Sequence, residues 1–339
     1  MGVLKMVGEV KDNAVKDNAV LFHNSLYIIN AHVDAPLRLI DEELNYLCRN
    51  TIWHTDLPRI REGGVDVLVF AIYSDPKYPF NQMLERANRM LDIVRKLINS
   101  TPEMELILTS DDFARIKAAG KVGIIIGLEG ADPIHDTKTL YEFFHAGVRL
   151  VGLTWNYGNK IADGFKVKNP QGLTPFGIEC IRIMNELGII IDLSHIAEPG
   201  FWDVIKYSNA PIIASHSNAR SITDHPRNLT DNQLNAIKEK DGVVGLCYEP
   251  WFLREGGQNA SLRDILQHYF YIKDLIGDDH IGLGTDFDGI KKAPKDMEDV
   301  SKTLNLTREL LALGVSHTQI SLLMGENFLR VFNKIFKNR

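Results

Sequence analysis

Six side chains of metal-binding type stand at related places in the 339-residue chain: His32, Asp34, Glu129, His195, His216 and Asp286. Three imidazoles and three carboxylates form a nitrogen and oxygen donor set suited to Zn2+ or another divalent transition metal. Six donors are too many for one tetrahedral zinc but fit two metals that share a carboxylate. Two metals about 3.5–4 Å apart can hold a bridging water as hydroxide near neutral pH while polarising a carbonyl. A lone His-x-Asp, as at His32 and Asp34, is common by chance. The repetition matters more, because each donor closes an apolar, strand-like run.

The first of those runs is Tyr27-Ile-Ile-Asn-Ala-His-Val-Asp34, where a side-chain period of two sends His32 and Asp34 to one face. Residues 65–73 are almost continuously apolar, as a strand buried on both faces should be. Residues 122–130, 150–155, 189–195, 211–216, 243–248 and 281–286 repeat the pattern, and Glu129, His195, His216 and Asp286 stand at four of the ends. Helical spacing fills the intervals at 81–99, 137–146, 174–187, 199–208, 230–240 and 261–276. Pro175 in a first turn and Gly188 after the last mark one of these helices at both ends. Residues 300–336 read as two closing helices separated by Gly314.

Eight strand-helix alternations predict an α/β fold, a (β/α)8 TIM-like barrel, with 1–24 as a leader and 25–339 as one barrel domain. The tandem repeat at 10–20 is read as a polar leader or small hairpin. An open doubly wound sheet is the runner-up, disfavoured by the strand count and by the lack of G-x-G-x-x-G after the first strand. In a barrel the C-terminal strand ends surround one mouth, where chemistry is placed. Donors remote in sequence would converge there.

Composition narrows the rest. With 45% hydrophobic and 24% charged residues the chain reads as a globular protein, and a net charge of −6 offers no general attraction to nucleic acid or anionic membrane. No stretch is long enough to span a bilayer and no signal peptide is evident. Cys48, Cys180 and Cys247 form neither a C-x-x-C nor a disulfide framework. A cytoplasmic location is expected.

The chain resembles the membrane (renal-type) dipeptidases, peptidase family M19, among the amidohydrolase-like metal-dependent barrels. The likeness runs from Ala31-His-Val-Asp34 to Gly325-Glu-Asn-Phe-Leu-Arg-Val-Phe332. It includes Gly127-Leu-Glu-Gly130, Asp192-Leu-Ser-His195, Ala214-Ser-His-Ser217, Pro226-Arg-Asn-Leu229 and Gly284-Thr-Asp-Phe-Asp-Gly289. The resemblance implies two Zn2+ per chain, one held by His32 and Asp34, the other by His195 and His216, with Glu129 bridging. It also implies Asp286 as the proton relay and Arg227 as the grip on the substrate's terminal carboxylate, for which a guanidinium fork is apt. A dipeptide substrate, tolerance of a C-terminal D-residue, a metal-bridging hydroxide and a homodimer are further implications.

Departures from the family pattern fall around the substrate. Trp155 stands where animal members carry a histidine after the fourth strand, and it would replace a hydrogen-bond donor with an aromatic wall. The family's pocket tyrosine falls by spacing near Phe252, with Tyr248 as a nearby substitute. Asn156 and Asp163 are further candidates for the pocket wall, and His225 is a weaker one beside Arg227. Asp288 reads as a loop anchor or supporting partner, and Asp192 and Ser194 as facing the helices. The remaining histidines and the tryptophans Trp53, Trp202 and Trp251 read as packing, surface or rim residues. Two other readings stand beside the dipeptidase: another binuclear amidohydrolase (lactonase, deaminase or N-acyl amino acid hydrolase), and a non-catalytic metal-binding barrel.

Overall fold

The structure is a computed structural model that describes residues 18–42 and 45–337. Its centre is a closed parallel barrel. The strands are β1 (Ile29–Val33), β2 (Val67–Tyr73), β3 (Met104–Leu106), β4 (Val122–Glu129), β5 (Val148–Gly152), β6 (Ile190–Asp192), β7 (Ile212–Ala214), β8 (Val243–Leu246) and β9 (Ile281–Leu283). The sheet runs β2-β1-β9-β8-β7-β6-β5-β4, and a seven-residue β2–β4 pairing closes it. The eight barrel strands are those read from the sequence. The ninth, β3, adds to the start of β4, from Met104 opposite Val122 to Leu106 opposite Ile124.

Two apolar layers hold this arrangement. Ile29, Ala31, Val67, Val69, Ile125, Leu150, Ile190, Ile213 and Val243 meet inside the barrel, where Phe328 and Phe332 of helix Asn327–Ile335 join them. An outer layer seats the surrounding helices on the sheet. Helix Pro175–Leu187 begins on Thr174, whose side chain accepts from Gly177 N–H, and ends on Gly188 in the left-handed conformation at φ 77°. The closing segment is a helix over Thr303–Ala312, then a second from His317 to Ile335 that is interrupted around Gly325.

Residues 10–17 of the tandem repeat lie outside the described residues, and 18–20 open a helix that runs to 25. That helix is tied to the body through His23, which bonds Thr307 Oγ1 at 2.8 Å and Gly63 O at 3.1 Å.

Candidate metal centre

Several strands end two or three residues earlier than expected, so most of the donors sit just beyond the ladder. β6 stops at Asp192, β7 at Ala214 and β9 at Leu283, leaving His195, His216 and Asp286 in the loops that follow. The backbone explains this: His195 and Asp286 have φ of 70° and 60°, left-handed values that no pleated strand accommodates. Such conformations cost free energy and cluster at functional sites. On β1 the register with β2 slips between Asn30 and Val33, so simple alternation is not what aims His32 and Asp34. They still converge, with Nε2 and Oδ2 3.4 Å apart.

Glu129 stands at the centre of the cluster. Its Oε1 lies 3.0 Å from His195 Nε2 and 3.7 Å from both His216 Nε2 and His32 Nε2. Asp286 Oδ1 lies 4.0 Å from His32 Nε2. Donor atoms of His32, Glu129 and His216 fall within 4.8 Å of one another, as do those of His32, Asp34 and Asp286. Gly289 leaves the room these carboxylates occupy, since a Cβ there would lie 2.3 Å from Asp34 Oδ2 and 2.5 Å from Asp286 Oδ1.

The hydrogen bonds behind the cluster fix its tautomers. Asp192 accepts from Ser215 Oγ at 2.6 Å, so Ser215 is free to accept from His216 Nδ1 at 2.8 Å. His195 Nδ1 is 2.9 Å from Asn156 Oδ1, which can only accept. Both rings therefore carry their proton on Nδ1 and present a lone pair at Nε2, and those two Nε2 atoms face each other at 2.9 Å. His32 Nε2 is buried with no hydrogen-bond partner. Lone pairs opposed at that distance repel unless a cation lies between or beside them, and the donor set fits divalent metal ions.

The charges agree. Burial opposes ionisation of Glu129, yet His32 and His195 hold its carboxyl well below the usual range. Burial, with Asp34 adding to it, pushes Asp286 well above that range, and burial with Glu129 raises Asp34. His32 is raised well above its ordinary value against the effect of burial, because Glu129 and Asp34 favour its imidazolium. His195 is lowered to about 3 by burial and by Arg227, and burial lowers His216 likewise. Three carboxylates thus share one pocket in which His32 and Arg227 are the main groups that offset their charge.

A cavity of about 430 Å3 opens over this cluster, in the range of small-molecule sites. Asp34, Glu129, His195 and Asp286 form part of its floor, and Trp155, Tyr73, Phe165 and Phe252 form apolar walls. The Trp155 ring lies 5.0 Å from that of Tyr73 and 6.3 Å from that of His195. Asn156 and His225 line the cavity too, and Trp251 is at its rim. Asp163 does not line it; its carboxylate caps Gln171 N–H.

Arg227 is buried beside the cavity, among residues of a smaller one of about 170 Å3 that shares Phe165 and His195 with it. Its guanidinium donates to His216 O at 3.0 Å and Ser217 Oγ at 3.3 Å, and its Nε has no partner. Tyr248 does not reach the cavity. It is buried edge-on against Phe287, and the next residue, Glu249, lines the cavity instead.

Asp288 is an anchor, accepting from His54 N–H at 2.6 Å and Thr55 N–H at 3.2 Å. Asp192 was read as turned towards the helices but sits behind His216. Its partner Ser215 lies in the Ala214-Ser-His-Ser217 motif, which assigns it no role, and Tyr73, Lys166 and Glu249 at the cavity belong to none of the motifs. Glu249 alone had a usable signal, as an acid two or three residues beyond a barrel strand. The buried thiol of Cys247 lies 3.8 Å from Asp286 Oδ2.

The family model "Membrane dipeptidase (Peptidase family M19)" matches residues 16–339. Dipeptidase tcpJ of Claviceps purpurea is 31% identical over 294 residues, covering 83% of this chain and 69% of that one. A solved dipeptidase described as a metallo peptidase of family M19 superposes with a TM-score of 0.86 at 31% identity, covering 92% and 99% of the two chains. A metallo peptidase from Rhodobacter sphaeroides, solved with a phosphinate mimic of the dipeptide L-Ala-D-Ala, gives the same TM-score and coverage at 30% identity.

Proposed function

The chain belongs to the membrane dipeptidase family, peptidase family M19, and we propose that it is a metal-dependent dipeptidase that hydrolyses the peptide bond of free dipeptides. The observation that carries this reading is the pair of Nε2 lone pairs on His195 and His216, opposed at 2.9 Å above the Glu129 carboxylate. Such an arrangement is built for divalent metal.

In our reading the metal is zinc, two ions per chain. His32 and Asp34 would hold one, His195 and His216 the other, with Glu129 available to both. Bound there, the ions supply Lewis acidity and lower the pKa of water towards neutrality. The rest is the work of the chain. Asp286 takes a proton from the attacking water at its carboxylate and returns it to the nitrogen that leaves as the scissile C–N bond breaks. Arg227 balances the substrate's terminal carboxylate, and its unpaired Nε gives it a donor to spare. Trp155 and Tyr73 wall off the reacting carbonyl from bulk water. A C-terminal D-residue is accepted, as the L-Ala-D-Ala mimic held by the Rhodobacter relative suggests. The described chain acts as one domain from residue 18 on, since His23 ties the first helix to the body, and the protein works as a cytoplasmic homodimer. No described helix is long and apolar enough to cross a membrane.

The test is a panel of L-L and L-D dipeptides on zinc-loaded protein beside a chelated control, with metal content measured. Turnover that needs about two zinc ions per chain is expected. Asp286→Asn should keep its zinc and lose roughly 100-fold or more in kcat, the usual scale of general acid-base work. Near-normal turnover by that variant would reject the assignment of Asp286. Absence of bound metal in active protein would reject the whole reading.

A further inference from the structure

Beyond the metal-lined cavity the barrel mouth continues into a larger trough of about 1220 Å3. Trp155, Lys166, Glu249, Trp251 and Gly289 line both spaces, so they join along one side. Lys166, from the loop after β5, and Lys291, Lys292 and Lys295, from the loop after β9, border the trough. All four are exposed. Elsewhere lysines such as Lys117, Lys121 and Lys334 are paired with acids. Among the described residues no carboxylate stands within ion-pair distance of the trough's four ammonium groups. Only Glu249 and Glu298 oppose them in the lining, so the trough is net positive in a chain of net charge −6.

A scatter of lysines on a convex face would mean only solubility. These converge on a concavity that opens into the reaction site. The trough also lies to a definite side. Arg227 belongs to the smaller cavity reached past Phe165 and His195, whereas the trough is entered past Trp155, Glu249 and Trp251. With the substrate's C-terminal carboxylate at Arg227, its N-terminal residue faces the trough. Glu249, half-buried at the junction, is then a counter-charge for the α-ammonium.

We propose that the trough is the subsite for the side chain of the substrate's N-terminal residue, and that its lysines select an acidic one. This rests on the dipeptidase reading and names its substrate class: dipeptides that begin with Glu or Asp.

Zinc-loaded wild type and the double variant Lys291→Glu/Lys292→Glu would be assayed on Glu-Ala, Gln-Ala and Ala-Ala. Wild type should favour Glu-Ala over its neutral isostere Gln-Ala in kcat/KM, and the double reversal should cut Glu-Ala turnover roughly tenfold, as expected for two exposed charge pairs. Ala-Ala should be unaffected, which also shows that the variant is folded. Equal use of Glu-Ala and Gln-Ala by wild type, or a preference that survives the double reversal, would overturn the proposal. Turnover of Ala-Ala in either case leaves the dipeptidase reading standing, whereas failure on every dipeptide overturns both.

Discussion

His216 is aimed by a relay of two side chains, Asp192 and Ser215, and that relay makes a separable prediction. Asp192 accepts from Ser215 Oγ at 2.6 Å, from Ser215 N–H at 2.8 Å and from Ser194 N–H at 3.0 Å, which locks the serine hydroxyl away from the ring it serves. Ser215 can therefore only accept from His216 Nδ1, and Nε2 is left as a donor atom for metal. Supporting bonds of this kind are worth about 10–100-fold in metal affinity. Ser215→Ala should weaken zinc binding by that order, read by competition with a chromogenic chelator, while kcat at saturating zinc stays close to normal. If zinc affinity is unchanged, the tautomer of His216 is set by something else. The relay escaped the sequence because Asp192 and Ser215 lie on different strands' ends, 23 residues apart, and only the closed barrel puts one behind the other.

At the scale of elements, His268 on helix Leu262–Ile276 ties two loops of the mouth together. Its Nδ1 accepts from Ala219 N–H at 3.2 Å and its Nε2 donates to Leu253 O at 3.1 Å, so the ring must be neutral. Burial lowers it to about 4, against a weaker upward pull from Leu253 O and Asp264. In the unfolded chain it titrates near the ordinary value of about 6.5. The unfolded state thus binds the proton first, so this stability is whole above pH 6.5 and is lost as pH falls towards 4, to the extent of about 3 kcal/mol. Urea midpoints measured from pH 7 to pH 5 should fall, and fall less steeply in His268→Gln. Equal slopes would place the acid sensitivity elsewhere. Helices such as this one were legible because a capping serine, an amphipathic period and a terminal glycine all agree. Strand β3 was not, because three residues with one fully buried carry no alternation to read. The true ends of β6, β7 and β9 were hidden for a different reason. Left-handed backbone at His195 and Asp286 is set by packing around the site, and those residue types do not announce it.

The whole molecule concentrates charge where its fold closes. Asp34, Glu129 and Asp286 come from the ends of three separate strands, and the same closure that buries Asp34 and leaves Glu129 and Asp286 only slightly exposed removes most of the water that would solvate them. Strand-end acids and histidines were readable one by one in the sequence, and barrel geometry made their convergence readable too. What each carboxylate faces, and so the cost of leaving it without a cation, was not. A ligand that binds only the folded state stabilises it in proportion to the logarithm of its excess, about 2.7 kcal/mol at 100 times Kd. For a domain of about 150–250 residues each kcal/mol moves Tm by about 2–4 °C, and somewhat less for a longer chain such as this one. Chelated protein should therefore melt on the order of 5 °C below the zinc-saturated form, and Tm should climb steadily as zinc is added back. Gly289→Ala, which drives a methyl into Asp34 and Asp286, should show a blunted climb, because its donors can no longer close on the ion. A chelated sample shown to be metal-free that melts with the loaded one would mean that the carboxylates share protons well enough to do without metal, and the barrel mouth would then be stable for reasons unconnected with its chemistry.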